Sequence, residues 1–232
     1  MSNKFKDNTV NSRPVRNRKF IKKVLVFCEG DTEYHYIVEA KGFQNVEFQI
    51  TPIDMHGGGY KSFLSIIKKQ PNDNCIMKFI IIDGDRISND SKEKDNFLDL
   101  VKYCKIENKK NTFGERPYLI IVNNPNFEYT ACLHSNLYKT QDIKKFIKDT
   151  LTHQDLDKFK SDKKVYDKLN NSNKNSYRNV LDAIAKRKLY IVKNEYEKLD
   201  PPQYIKFNNV IVNMGNLDKK CTNMDDFYNI LM

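Results

Sequence analysis

Two short apolar runs, roughly fifty residues apart, each end in a carboxylate and a glycine. The run 24–28 leads into Glu29, and the run 79–82 leads into the pair Asp83 and Asp85. Runs of β-branched and aromatic residues that stop at glycine are typical of buried parallel strands. Ligands of open α/β sheets bind at the carboxyl ends of such strands. We therefore expect these three carboxylates to meet at one edge of a sheet.

A divalent cation is the simplest reason for three carboxylates to share one edge. Like charges repel unless a cation lies between them, and hard oxygen ligands favour Mg²⁺ or Mn²⁺. We interpret Glu29, Asp83 and Asp85 as metal ligands, with Glu29 acting as a ligand or a general base. The alternatives are a Gly-Asp turn with solvated aspartates and a Glu29 that only caps the next helix.

The apolar periodicity predicts a mainly parallel four-stranded sheet flanked by helices. Strands are predicted at 21–28, 46–53, 76–82 and 117–122. Helices after residue 31, at 60–69 and at 90–105 separate them, which is the alternating order of α/β proteins. Later helices are predicted at 126–138, 140–151, 155–169, 176–193 and 223–231, with a short strand at 210–212. The chain thus divides into a basic disordered arm (1–20), an α/β domain (21–140) and a mostly helical C-terminal region (141–232).

Composition limits the class of protein. A chain of 232 residues with 39% hydrophobic content can build one sizeable core. No apolar stretch reaches the roughly 18 residues that would span a membrane, and the first residues lack the apolar core of a signal peptide, so we expect neither feature. The five cysteines have no CxxC spacing and lie inside apolar segments, so we expect reduced, buried thiols in a cytoplasmic protein.

Positive charge is concentrated in two segments. Residues 1–23 carry a net charge of +7 and residues 141–193 another +7, whereas residues 24–140 carry −2. A basic arm beside an acidic, metal-binding edge suits a polyanionic substrate, although a lysine-rich composition would also explain the charge. We predict nucleic-acid contacts from basic residues of the arm and of the first glycine-rich loop, which are Arg13, Arg16, Arg18, Lys19 and Lys61.

Other motifs have an ordinary structural explanation beside a functional one. Gly57-Gly58-Gly59 could cradle a phosphate, but a glycine-rich turn is more common. Glu33 lies one turn beyond Glu29. It could contact the metal ligands without binding the metal itself, or it could lie exposed. His134 is predicted to be a packed histidine.

The motifs together resemble the RloB-like family, whose members have the Toprim fold. Residues 29–36 are similar to its Glu-Gly-x-Thr-Glu-x-x-Tyr signature, and Asp83-Gly84-Asp85 to its Asp-x-Asp. Residues 124–128 are similar to its Asn-Pro-x-Phe-Glu block, which makes Glu128 a further catalytic candidate. The resemblance implies a Toprim-like α/β domain over 21–140 and an anti-phage, abortive-infection role with an ABC-type ATPase as partner.

From these observations we expect a Mg²⁺- or Mn²⁺-dependent nuclease that cleaves DNA or RNA. Two other classes stay open. One is a non-catalytic module that uses the fold to dock the ATPase or nucleic acid. The other is a toxin that acts on a nucleotide or on RNA. The basic segments would hold the phosphate backbone in the first class.

Overall fold

A five-stranded sheet organises the chain and carries the predicted carboxylates at one edge. The computed structural model describes residues 22–43, 48–70, 75–110, 117–172, 174–199 and 204–232. The strands are β1 (Lys22–Cys28), β2 (Phe48–Asp54), β3 (Cys75–Asp83), β4 (Tyr118–Asn124), β5 (Val192–Leu199), β6 (Tyr204–Val212) and β7 (Cys221–Thr222). The predicted basic arm, with Arg13, Arg16, Arg18 and Lys19, lies outside the described residues.

Strand order explains why two distant apolar runs meet. The order is β2-β1-β3-β4-β7, in which β1 pairs in parallel with β2 and β3, and β3 pairs in parallel with β4. Cys28 of β1 lies opposite Ile81 of β3, so Glu29 and Asp83 emerge from neighbouring strands at the same edge. The short β7 pairs antiparallel with the end of β4.

Helices cover both faces of this sheet. The helices of the N-terminal part are α1 (Asp31–Phe43), α2 (Tyr60–Lys69), α3 (Asp85–Asn89), α4 (Ser91–Lys110) and α5 (Phe127–Leu133). Those of the C-terminal part are α6 (Ile143–Phe146), a π-helical turn (Ile147–Leu151), α7 (Leu156–Lys160), α8 (Val165–Leu169), α9 (Tyr177–Arg187), a 3₁₀ turn (Met214–Asn216) and α10 (Asp225–Leu231). None of the helices in the described ranges has the length and apolar character needed to cross a membrane.

Alternating side chains of the strands build two apolar layers. Val24 and Val26 of β1 face the layer that contains α1, α5 and α10, whereas Leu25 and Phe27 face the layer of α2 and α4. All four are almost completely buried, and each such side chain stabilises the fold by about 1.5–3 kcal/mol. Burial on both faces explains why the strands read as continuous apolar runs.

The structure confirms a mixed α/β fold with a mostly parallel sheet and corrects two details. The sheet has five strands rather than four, because β7 adds to the edge of β4. The C-terminal region is less helical than predicted, since β5 and β6 form an antiparallel hairpin.

The strand predicted at 210–212 forms the end of β6, whereas β5 was not predicted, because its local sequence favours a helix. The segment of β5, Val-Lys-Asn-Glu-Tyr-Glu-Lys-Leu, is rich in helix-forming residues. In addition, α9 ends at Lys188 in the left-handed conformation, with φ of 52°, where a glycine would have marked the stop. Side-chain amides attach this region to the sheet, since Asn194 exchanges hydrogen bonds with the backbone of Ile120 (3.2 and 2.9 Å).

The cysteines follow the prediction. All five are buried and none forms a disulfide. Burial raises the pKa of the Cys104 and Cys28 thiols well above the usual range, so these thiols stay protonated.

Candidate active site at the carboxyl edge of the sheet

Glu29 and Asp83 meet at the ends of β1 and β3. One oxygen of the Glu29 carboxylate accepts a hydrogen bond from the backbone N–H of Asp83 at 2.9 Å. The Asp83 carboxylate in turn accepts one from the backbone N–H of Phe127 at 2.9 Å. Each acid is therefore fixed by the backbone of the next segment along the edge.

Two further acids, Glu33 and Glu128, lie close to Asp83. Glu33 reaches the cluster from the first turn of α1, and Glu128 from the first turn of α5, and both are buried. One carboxylate oxygen of each, Oε1 of Glu33 and Oε2 of Glu128, is buried without a hydrogen-bond partner. Such orphaned oxygens are costly to bury and need an explanation. The structure thus gives Glu33 a place inside the cluster rather than on the surface.

Burial and crowding raise the pKa values of three carboxyl groups of the cluster, those of Glu29, Glu33 and Asp83. Desolvation, together with nearby Asp85 and Glu93, raises the pKa of Glu29 to about 7 in spite of its hydrogen bond and Arg86. Desolvation, together with Glu128 and Glu29, raises the pKa of Glu33 to about 8. The pKa of Asp83 rises for the same two reasons. The cluster therefore concentrates more negative charge than its surroundings can stabilise.

Asp85 is the exposed member of the group. It begins α3, and its backbone N–H and that of Gly84 both donate to the carbonyl oxygen of Pro125 (2.9 and 3.0 Å). A Cβ on Gly84 would lie only 2.6 Å from Oδ1 of Asn124, so glycine is required here for the chain to pass. Asp85 thus reaches the rim of the cluster, and its charge contributes to the raised pKa of both Glu29 and Asp83.

Two cations border the cluster. Lys160, at the end of α7, lies 3.4 Å from the Glu128 carboxylate. Burial lowers the pKa of Lys160, but Glu128, Asp83 and Glu33 outweigh that effect and the net pKa is raised. The Nε of Arg86 lies 3.8 Å from Glu29. Both side chains are partly exposed, so they can also face a ligand.

Sequence reasoning missed Lys160 and Arg86. Arg86 follows the Asp-x-Asp directly and could have been found by its position in the chain. Lys160 could not, because it is one of 14 basic residues in a segment without a distinguishing motif. Only the packing of α7 against α1 and the π-helical turn brings it near.

The glycine-rich loop is a turn rather than a phosphate cradle. His56 and the three glycines that follow all have positive φ, between 54° and 101°. The Glu93 carboxylate accepts a hydrogen bond from the Tyr60 backbone N–H at 2.9 Å, which places an acid at the start of α2. A phosphate would need that same position, so this geometry favours the turn. Lys61 is exposed on the first turn of α2.

The helix of the Asn-Pro-x-Phe-Glu block begins after Asn126 rather than at the proline. Asn126 is the N-cap, and its side chain accepts a hydrogen bond from the backbone N–H of Tyr129 at 3.4 Å. Asn124 faces the C-terminal region, where its amide donates to the carbonyl oxygens of Leu217 and Lys219 (3.0 and 2.6 Å).

The arrangement fits a divalent cation chemically but does not present a finished site. Buried carboxylate oxygens without partners are hard ligands, and their excess charge is what a cation would neutralise. In the part of the chain that the structure describes, however, no three His, Cys, Asp or Glu side chains form a group that could hold a metal ion. Glu29 and Asp83 direct an oxygen each at a backbone N–H instead.

Comparisons with known proteins add no independent support for a family. No protein-family model, curated protein or solved structure matches this chain. The resemblance to RloB-like proteins therefore rests on the three motifs alone.

Proposed function

We propose that this protein is a Mg²⁺- or Mn²⁺-dependent nuclease of the Toprim type that hydrolyses phosphodiester bonds in DNA or RNA. Following the family resemblance, we further propose that it acts as the effector of a prokaryotic anti-phage system with an ABC-type ATPase. The observation that carries the proposal is the cluster of Glu29, Glu33, Asp83 and Glu128. At the carboxyl edge of a parallel sheet, Glu29, Glu33 and Glu128 are buried and Asp83 is partly buried. Two of the buried carboxylate oxygens lack partners.

Asp83 and Asp85 would hold the cation, and Glu29 would act as a further ligand or as the general base. A bound divalent cation supplies charge neutralisation and polarises the phosphate. Cations of this kind usually keep several waters and take one or two carboxylates, which suits acids already engaged with backbone N–H groups.

The remaining residues have complementary roles around that position. Glu29, with a pKa near 7, is suited to accept the proton of an attacking water. Lys160 and Arg86 would contact non-bridging phosphate oxygens from the two sides of the cluster. Glu33, with a pKa near 8, would hold a proton at neutral pH and so limit repulsion within the cluster.

A second candidate function is supported by a specific observation. The engagement of Glu29 and Asp83 with backbone N–H groups would also serve a docking module without catalysis. Such a module would bind the ATPase or nucleic acid but would not need a metal.

A cleavage assay decides between the two functions. The full-length protein is incubated with plasmid, single-stranded DNA and total RNA, with Mg²⁺ or Mn²⁺, and with and without the partner ATPase. We expect cleavage that EDTA abolishes. Asp83→Asn should reduce it at least about 100-fold, because the change removes a proposed ligand and keeps the side-chain shape.

The matched control is Asp99→Asn, the same change at an exposed position of α4. It should retain full activity. Cleavage by Asp83→Asn at the parental rate would reject the proposed site. Tight nucleic-acid or ATPase binding without metal-dependent cleavage of any substrate would instead support the docking module.

A further inference from the structure

A cationic cavity lies between α5 and α9, at the opposite end of α5 from Glu128. Its volume is about 370 Å³. The polar residues that line it include Lys139, Lys186, Arg187, Asn136, Asn179 and Asp182. Three cations thus face a single carboxylate in this lining.

Arg187 is held in a fixed orientation at the cavity. Its guanidinium donates one hydrogen bond to the Tyr129 hydroxyl and another to the carbonyl oxygen of Lys139 at 3.2 Å. It also lies 5.6 Å from the centre of the Tyr129 ring. These two hydrogen bonds use only some of the guanidinium N–H donors, and the side chain stays partly exposed. A positioned guanidinium is well suited to phosphate, because less conformational freedom is lost on binding.

The positive charge of the cavity is not neutralised internally. Within the described ranges, no ion pair joins Lys139, Lys186 or Arg187 to a carboxylate, and Asp182 forms none either. Lys139 and Lys186 are exposed. A polar cavity with a net positive charge and a fixed arginine favours an anionic ligand.

The cavity lies one short helix away from the carboxylate cluster, which suits a second phosphate of a strand bound at the cluster. Glu128 lies in the first turn of α5, whereas Leu133 and Ser135, at and beyond its end, line the cavity. At 1.5 Å per residue, the five residues from Glu128 to Leu133 span about 7.5 Å of the helix axis. Since a nucleic-acid strand in a duplex advances about 3.4 Å per nucleotide, roughly two nucleotides cover that distance.

We propose that this cavity binds a backbone phosphate of the nucleic-acid strand whose scissile phosphate lies at the carboxylate cluster. The proposal rests on the nuclease function proposed above and extends it by a second contact point. Lys139, Lys186 and Arg187 would fix the register of the strand without reading its bases. This assigns part of the basic segment 141–193, through α9, to substrate binding.

The test measures binding in the absence of cleavage. A labelled single-stranded DNA and an RNA of the same sequence are titrated in EDTA by fluorescence anisotropy at several salt concentrations. The test variant is Lys139→Glu with Lys186→Glu, because both side chains are exposed and Arg187, which supports packing, is left intact. The matched control is Lys102→Glu with Lys109→Glu on α4, which makes the same change in net charge against the other face of the sheet.

We expect the cavity variant to bind at least about tenfold more weakly than the control, with a flatter salt dependence. On a single strand, the slope should fall by about 0.7 for each phosphate that the variant no longer neutralises. Equal affinities of the two double variants, or no binding by the parent, would overturn the proposal. If the parent binds but cleaves nothing with Mg²⁺ or Mn²⁺, the proposed nuclease function is wrong. The comparison of the two double variants then still tests whether the cavity binds nucleic acid.

Discussion

Two buried polar regions lie close together in this molecule and differ in how well they are satisfied. In the first, Tyr36, His134 and Tyr228 form a closed network. His134 Nε2 lies 2.9 Å from the Tyr36 hydroxyl and 3.3 Å from that of Tyr228, and the two hydroxyls are 3.0 Å apart. In the second, the carboxylate cluster around Asp83, two buried oxygens have no partner.

The network determines its own protonation. Nδ1 of His134 lies 3.0 Å from the carbonyl oxygen of Thr130, which can only accept, so Nδ1 carries the proton and Nε2 accepts from a tyrosine. Burial lowers the pKa of His134 to about 4, which keeps the ring neutral. This network ties α1, α5 and α10 together, and it confirms His134 as a packed histidine rather than a ligand.

The two regions therefore respond to pH in opposite directions. The folded pKa of His134 lies below its ordinary value of 6.5, so its contribution to stability is lost as the pH falls from about 6.5 towards 4. The folded pKa values of Glu29 and Glu33 lie above 4.5, so their contribution is lost as the pH rises towards 7–8. A satisfied network serves the fold, whereas a cluster that destabilises the fold near neutral pH is typical of a binding site.

The largest effect on stability is expected from breaking the network. His134→Asn shortens the side chain, so that it no longer reaches both tyrosine hydroxyls, and leaves a cavity. The free energy of unfolding should fall by about 3 kcal/mol. The same substitution at the exposed His153, whose left-handed backbone asparagine tolerates, is the control and should change it by less than about 0.5 kcal/mol. Urea unfolding measures both, and equal losses would show that the network does not stabilise the fold.

The next effect is the response of the cluster to metal. Mn²⁺ at 100 times its dissociation constant should stabilise the parent protein by about 2.7 kcal/mol. Asp83→Asn should lose this response, while its stability without metal stays equal or rises, because repulsion is relieved. Thermal melts with and without Mn²⁺ measure this, with Asp99→Asn as control. Identical shifts in all three proteins would remove Asp83 from the metal site.

The smallest effect is expected from Glu33→Gln, which tests whether the cluster causes the loss of stability at higher pH. Without metal, the free energy of unfolding of the parent should decrease between pH 5 and pH 8. Glu33→Gln should flatten this decrease and be more stable than the parent at pH 8 by about 1–2 kcal/mol. A pKa shift is worth about 1.4 kcal/mol per unit, and the expected gain is smaller than the raised pKa of Glu33 alone would give. The reason is that the amide of the new glutamine side chain brings N–H donors that need partners.

The control for the pH series is Glu39→Gln, on the same helix. Glu39 is partly exposed, and its carboxylate accepts hydrogen bonds from the Tyr166 and Asp167 backbone N–H groups (2.8 and 3.2 Å). This variant should keep the slope of the parent above pH 6. A Glu33→Gln protein whose slope equals that of the parent would place the pH dependence outside the cluster.

The sequence by itself determined the strands of the parallel sheet and the edge at which the acids meet. Apolar runs buried on both faces are unambiguous, and parallel pairing sends the carboxyl ends of β1 and β3 to the same side. The convergence of Glu29 with Asp83 also requires that β1 and β3 be neighbours, which the strand order of the folded sheet supplies.

Only the tertiary structure decided the rest. Lys160 joins the cluster, Glu33 is buried and Arg187 lines a cavity because α7, α1 and α9 pack against distant segments. Those contacts leave no local period in the sequence. The β5–β6 hairpin has the same origin, since Asn194 and its contact with β4 outweigh a segment whose residues favour a helix. Local propensities are worth tenths of a kcal/mol per residue, and burial and long-range hydrogen bonds override them.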